Sequence, residues 1–317
     1  MRGERDWHWA VGVVTSFTVL GVLGAGTARP ATAQSRVTAD IAYVAGGGPR
    51  QQLDLFLPER AGFPTFLFVH GGSLQSGDRK EVPAADLCRR FNEWGFGCAA
   101  TGYRLFPEVD WPSPASDVAA AVAWLHEHLP AHGGDGDGLF LLGHSSGCTL
   151  ASLVATDERL LAPHGLRPSD LAGVVALGCR LDNQPPDTTR ADPARVAEYL
   201  SSDSWGARFG SYQALLDFVP LTHLGPHVPP ILVVLGDAER FKPPILEDGA
   251  KFVGLARNCE VDAEIVILDD RTHRTALERM PEAGDPGFET VVAFAERLLR
   301  DGPRVYQADM DLCPRAR

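Results

Sequence analysis

Ser145 stands in Gly143-His144-Ser145-Ser146-Gly147, between the apolar run Leu139–Leu142 and a second apolar stretch. A serine hydroxyl is a weak nucleophile at neutral pH and needs a positioned base. A G-x-S-x-G pentapeptide between a strand and a helix holds the serine on a tight turn, where neighbours bulkier than Gly143 and Gly147 would clash. Ser146 is the competing serine, but it leaves the second glycine at the wrong spacing. The candidate base is His273, in "DDRTHR" just beyond the apolar run Ala263–Asp269. The acid that would orient an imidazole has two candidates in "LGDAER", Asp237 and Glu239, and position does not separate them. Gly71 and Gly72, in "HGGS", bring bare backbone N–H groups to a strand end, and the residue after the nucleophile, Ser146, supplies another. A hydroxyl, an imidazole, a carboxylate and bare amides are the parts of an acyl-transfer site.

The remaining histidines fit less well. His126 and His128 are two apart on an expected helix, so they face different ways and cannot chelate together. His70 and His144 flank the glycines and read as packing and hydrogen-bonding residues, while His223 and His227 have no strand-end placement.

The elements that must position these groups alternate. "DIAYV", "LDLFLP", "TFLFVH", "FGCAAT", "LFLLG", "LAGVVALG", "PPILVVLG" and "AEIVILD" read as strands. Helical spacing covers "EVPAADLCRRFNEWG", "SDVAAAVAWLHEHL", "SSGCTLASLVAT", "ILEDGAKFVGLAR" and "FETVVAFAERLLR". Repeated strand–helix alternation predicts an α/β fold with a mostly parallel central sheet and helices on both faces. In that architecture sites form at strand carboxyl ends, where all four candidate groups fall. The stretch 179–228, mixed and rich in Trp and Pro, reads as a lid-like insertion between the sixth and seventh strands. Its aromatics could line a substrate pocket or serve as lid packing.

Composition narrows the partners. The 317-residue chain carries a formal net charge of −12, which argues against nucleic acid as a partner. Residues 1–33 begin with Arg2 and Arg5, turn apolar from about Trp9 to Ala28, and end in Ala31-Thr32-Ala33. That pattern predicts a cleaved signal peptide, export to the periplasm or medium, and no stable membrane association afterwards, with 34–317 as the mature domain. A retained anchor is the alternative. Six cysteines in an exported chain suggest one or two disulfides, one of which could pin the tail through Cys313. Cys148, inside an expected helix, reads as a small buried hydrophobe. No C-x-x-C pair occurs, so neither a metal nor any other cofactor is expected. Oligomeric state does not follow from the sequence.

"RQQLDLFLP", "FVHGGSLQSGDR", "YRLFPEVDWPSPASDVAAAVAWL", "GGDGDGLFLLGHSSGC", "VPLTHLGPHVPPILVVLGDAE" and "DDRTHRTA" together resemble the α/β-hydrolase superfamily. The nearest likeness is to carboxylesterases of the feruloyl-esterase-like, kynurenine-formamidase-like and hormone-sensitive-lipase-like neighbourhood. The resemblance covers about Asp40 to Arg300 and includes the chain order serine, acid, histidine. It implies a catalytic triad of Ser145, Glu239 and His273, with oxyanion-hole donors at Gly72, Ser73 and Ser146. It also implies cleavage of small-molecule carboxylic esters of short-to-medium acyl or aryl acids through an acyl-enzyme. An amidase or formamidase would use the same triad, and a non-catalytic binding protein could share the fold. Two positions depart from the pattern. Ser73 replaces a third glycine, and Glu239 replaces the usual aspartate, which keeps Asp237 a candidate. By the same resemblance, "GGDGDG" before the nucleophile strand is a plain turn.

Overall fold

The computed structural model describes residues 35–182, 193–201, 208–239, 244–306 and 308–314. The expected signal peptide and parts of the insertion lie outside these residues.

Eight strands form one sheet in the order β1-β2-β4-β3-β5-β6-β7-β8. They are β1 (Arg36–Ala42), β2 (Gln52–Leu57), β3 (Phe63–Val69), β4 (Gly97–Thr101), β5 (Gly134–His144), β6 (Gly173–Leu177), β7 (Ile231–Gly236) and β8 (Ala263–Leu268). β1 and β2 pair antiparallel, as do β2 and β4, and the remaining neighbours are parallel. Strands β3 and β4 are buried along their whole length, which is why they read as continuous apolar runs.

Side chains alternate across the sheet and build a core on each face. Phe66 and Phe68 of β3 join Phe91 of α1 (Ala84–Glu93) on one side, while Leu67 and Val69 join the other. The first face is completed by the last long helix of the chain, Pro286–Asp301, through Phe288, Val291 and Ala295. The opposite face is covered by α2 (Ser113–His128), α3 (Ser146–Thr156) and α4 (Pro244–Asn258). Phe66 stacks on Phe91 with ring centroids 4.3 Å apart and on Phe140 of β5 at 5.1 Å. Each such buried ring contributes about 1.5–3 kcal/mol.

Three expectations are corrected. β5 begins at Gly134 rather than at Leu139, so the "GGDGDG" run is mostly strand, and only Gly133, at φ 90°, makes the turn. Packing is tight along this stretch: a Cβ on Gly134 would lie 3.0 Å from the Phe63 ring, and one on Gly138 would lie 3.1 Å from Pro64. The second helix starts at Ser113, ahead of "SDVAAAV", because Pro114 sits in the first turn, where a missing N–H costs nothing. All six cysteines are paired, as Cys88–Cys98, Cys148–Cys179 and Cys259–Cys313. Cys313 does pin the tail, to the end of α4, but Cys148 is a cross-link rather than a lone buried thiol.

The insertion between β6 and β7 contains helices Pro193–Ser201 and Tyr212–Asp217. Phe209, Leu215 and Phe218 from this region are buried in the core, where Trp111 packs edge-on against Phe209 and Phe218.

Candidate active site

Ser145 occupies the junction of β5 and α3 with φ 56° and ψ −126°. A left-handed φ is costly for any residue with a side chain, on the order of 1–3 kcal/mol, and persists only where the surroundings impose it. Here the flanking glycines let the turn close. A Cβ on Gly143 would stand 2.2 Å from the Gly147 carbonyl oxygen, and one on Gly147 would stand 2.2 Å from that of His70. The Ser145 N–H donates to the Leu177 carbonyl at 3.1 Å, tying the turn to the end of β6. The Ser145 hydroxyl therefore emerges at the carboxyl edge of the sheet.

His273 follows β8 in a loop that returns across β7 and β6. Its Nε2 lies 2.9 Å from Ser145 Oγ. Behind it, Nδ1 lies 3.3 Å from Glu239 Oε2, an ion-pair separation without hydrogen-bond alignment. The Glu239 side chain is 0% exposed and that of His273 33% exposed, so the carboxylate is sequestered while the imidazole faces the cleft. Among the described residues neither Glu239 oxygen has a hydrogen-bond partner, and the His273 ring lies beside the carboxylate. Asp237 is directed elsewhere: its Oδ1 accepts from the Arg271 N–H at 3.4 Å. The structure thus brings Ser145, His273 and Glu239 together and assigns Asp237 to the loop.

The loop after β3 supplies the wall facing Ser145. Gly72 has φ 117°, and Ser73 and Leu74 follow at φ 55° and 60°. A Cβ on Gly72 would strike the Ser76 carbonyl oxygen at 2.1 Å, so only glycine fits this bend. The loop is held from three sides. The Ser146 hydroxyl accepts from the Leu74 N–H at 3.3 Å. Tyr103 donates its hydroxyl proton to the His70 carbonyl at 2.9 Å, and the two rings stack. Buried Arg79 bonds Asp40, Asp54, Gln52 and the Pro49 carbonyl, fastening the far end of the loop to β1 and β2. Ser146 is the first residue of α3, where backbone N–H groups lack intrahelical acceptors.

Ser145 and His273 open into a cleft of about 520 Å³ that is also lined by Gly71, Gly72 and Ser73. Phe68, Val82, Pro83, Ala84 and Leu277 give it apolar walls, and Asp78, Glu81, Arg274 and Glu278 give it a charged rim. Among the described residues this cleft is lined by the loop after β3 and the segment after His273, and none of its lining residues comes from 179–228.

Two residues at the site carried no catalytic signal in the sequence. His144 is buried, and its Nε2–H donates to the His273 carbonyl at 2.8 Å. Burial lowers its pKa to about 4, with His273 adding to the effect. Gly178, at φ 65°, backs the acid–base pair. A Cβ there would lie 3.3 Å from His273 Nδ1 and 3.4 Å from Glu239 Oε1. His70 is likewise pushed down to about 4, chiefly by burial.

A sheet of this order, with a serine at the β5 turn and a histidine beyond β8, defines the α/β-hydrolase fold. Within that class the chain belongs to the BD-FAE family, whose sequence profile matches residues 53–244. It is 30% identical over 189 residues to "Probable carboxylic ester hydrolase LipM" of Mycobacterium tuberculosis (strain ATCC 25618 / H37Rv), covering 57% of this chain and 42% of the relative. "Esterase LipC" of the same organism is 28% identical over 218 residues, covering 66% and 52%. The chain spans about half the length of these curated relatives. Among solved structures, a truncated carbohydrate esterase from gut microbiota superposes with TM-score 0.66 at 16% identity, over 84% of this chain and 96% of that one. An esterase from the archaeon Pyrobaculum calidifontis gives TM-score 0.62 at 22% identity, over 83% and 85%.

Proposed function

We propose that the protein is a serine hydrolase that cleaves small-molecule carboxylic esters of short-to-medium acyl or aryl acids. The observation that carries this reading is the 2.9 Å approach of His273 Nε2 to Ser145 Oγ, with Glu239 buried behind the same imidazole. His273 takes the hydroxyl proton as Ser145 attacks the acyl carbonyl, then returns it to the leaving alcohol. Glu239 holds the ring orientation and stabilises the imidazolium. The N–H groups of Gly72, Ser73 and Ser146 hold the oxyanion, and water discharges the acyl-enzyme by the same proton path. The names of the curated relatives and the modest, partly apolar cleft support this substrate class.

Export belongs to the same proposal. Its support is the N-terminal pattern and the absence of free cysteines, which suits an oxidising compartment. N-terminal sequencing of secreted material checks it.

The catalytic reading is tested with a panel of p-nitrophenyl esters and matched amides, and with a fluorophosphonate probe. Wild type turns over short esters and is labelled at Ser145, whereas Ser145→Ala does neither. Ester turnover retained by Ser145→Ala would sink the assignment.

A further inference from the structure

We infer that His144 is a positioning residue that fixes the catalytic imidazole against the nucleophile from the nucleophile's own strand; this rests on the hydrolase reading above. The sheet order places β6 and β7 between β5 and β8, so the loop carrying His273 must span roughly 14 Å of sheet to reach Ser145. On the far side the loop is fastened to the β7 turn: the Ala238 N–H donates to the Arg271 carbonyl at 3.0 Å, and Asp237 meets the Arg271 N–H. Near Ser145 its anchor is the 2.8 Å bond from His144 Nε2–H to the carbonyl of His273 itself. The two rings also lie against each other with centroids 4.8 Å apart.

His144 and Ser145 are consecutive, so the position of the nucleophile and the position of the base are set by one rigid stretch of β5. A carbonyl can only accept, so the His144 proton resides on Nε2. The titratable groups facing this ring are His273 and, across Gly178, Glu239. A charge on His144 would oppose the imidazolium that forms on His273 during turnover. Burial keeps His144 neutral, and a neutral donor provides the anchor without that penalty. His144 makes no contact with the reacting atoms in this account; it acts through His273.

The test compares His144→Met with His144→Gln. The two linear side chains have similar volume and both remove the ring, but only glutamine keeps an N–H donor near the original reach. His144→Met lowers kcat about 10–100-fold with KM within about three-fold, because a misplaced base costs rate rather than binding. His144→Gln recovers to within about five-fold of wild type. Thermal melts verify folding; if the methionine variant does not fold, His144→Ala is compared with His144→Gln in the same way. A methionine variant with wild-type kcat, or a loss equal in both variants, overturns the positioning role while leaving the hydrolase reading intact. A wild type that neither turns over esters nor reacts with the fluorophosphonate overturns both.

Discussion

Glu239 reaches His273 Nδ1 at 3.3 Å, while Asp237, two residues earlier, accepts from the backbone of Arg271. The turn at Asp237-Ala238 separates their tasks. One carboxylate holds the loop and the other faces the ring within it. Glu239→Gln should therefore cut kcat by about 10³–10⁴-fold with the fold preserved, since the wrong tautomer is favoured and the imidazolium loses its counter-charge. Asp237→Asn should leave kcat within about three-fold and act mainly on the melting temperature. Steady-state kinetics on the two variants decides the matter, and the reverse ranking would make Asp237 the acid.

Cys148 sits in the first turn of α3, and Cys179 follows Gly178, which backs the acid–base pair. This cross-link closes 31 residues, and its loss should cost about 3–4 kcal/mol on loop entropy. Cys259–Cys313 closes 54 residues but ties only the tail to α4, so its loss should cost a comparable amount. The kinetic consequences should differ. Cys148→Ala/Cys179→Ala should lower kcat as Gly178 loses its fixed place, whereas Cys259→Ala/Cys313→Ala should leave kcat unchanged in the folded fraction. Urea melts paired with kinetics at a temperature where both variants are folded give the comparison. Equal kcat in the two variants would remove any catalytic part for the first cross-link.

The nucleophile turn was readable because its requirement is local: two glycines at fixed spacing relieve contacts that any side chain would make. His273 was readable for a different reason, being a histidine just past a strand end in a fold whose sites lie there. Position alone does not choose the acid, because Asp237 and Glu239 differ by one methylene and by how a turn rotates them; the resemblance points to Glu239, the carboxylate that lies beside His273. Cysteine pairing was equally hidden. Cys148 and Cys179 meet only because β5 and β6 are neighbours, and six thiols carry no register of their own. β5 starts earlier than a plain turn at "GGDGDG" allows, because Gly134 and Gly138 run in the strand where they pass close to Phe63 and Pro64.

His70 and His144 are both held near pKa 4 by burial, below the unfolded value of about 6.5. Between those values the unfolded chain binds protons that the folded chain does not. Stability is then fully present above about pH 6.5 and is lost as the pH falls towards 4, by on the order of 3 kcal/mol per histidine. Denaturant midpoints measured from pH 7 to 4 should fall steeply across this window. His144→Gln should flatten the dependence, because glutamine does not titrate. An unchanged slope in that variant would place the loss on other groups.

The rim of the cleft carries Asp78, Glu81 and Glu278, and Arg274, the one cation lining it among the described residues, is engaged by Glu278. Lys80, close in sequence, is turned to Asp40 at 2.6 Å. An ester bearing a carboxylate must approach Ser145 past this negative rim, on a chain whose formal net charge is −12. At an ionic strength near 0.01 M the screening length is about 30 Å, so the whole rim acts; near 1 M it is about 3 Å and the rim is silent. A neutral ester should therefore exceed its hemisuccinate counterpart in kcat/KM by about ten-fold at low salt, and the gap should narrow as salt rises. Glu81→Gln, on an exposed side chain away from the triad, should narrow it at low salt without altering the neutral substrate. A gap that ignores both salt and Glu81→Gln would mean that the cleft rejects the anion by shape rather than by field.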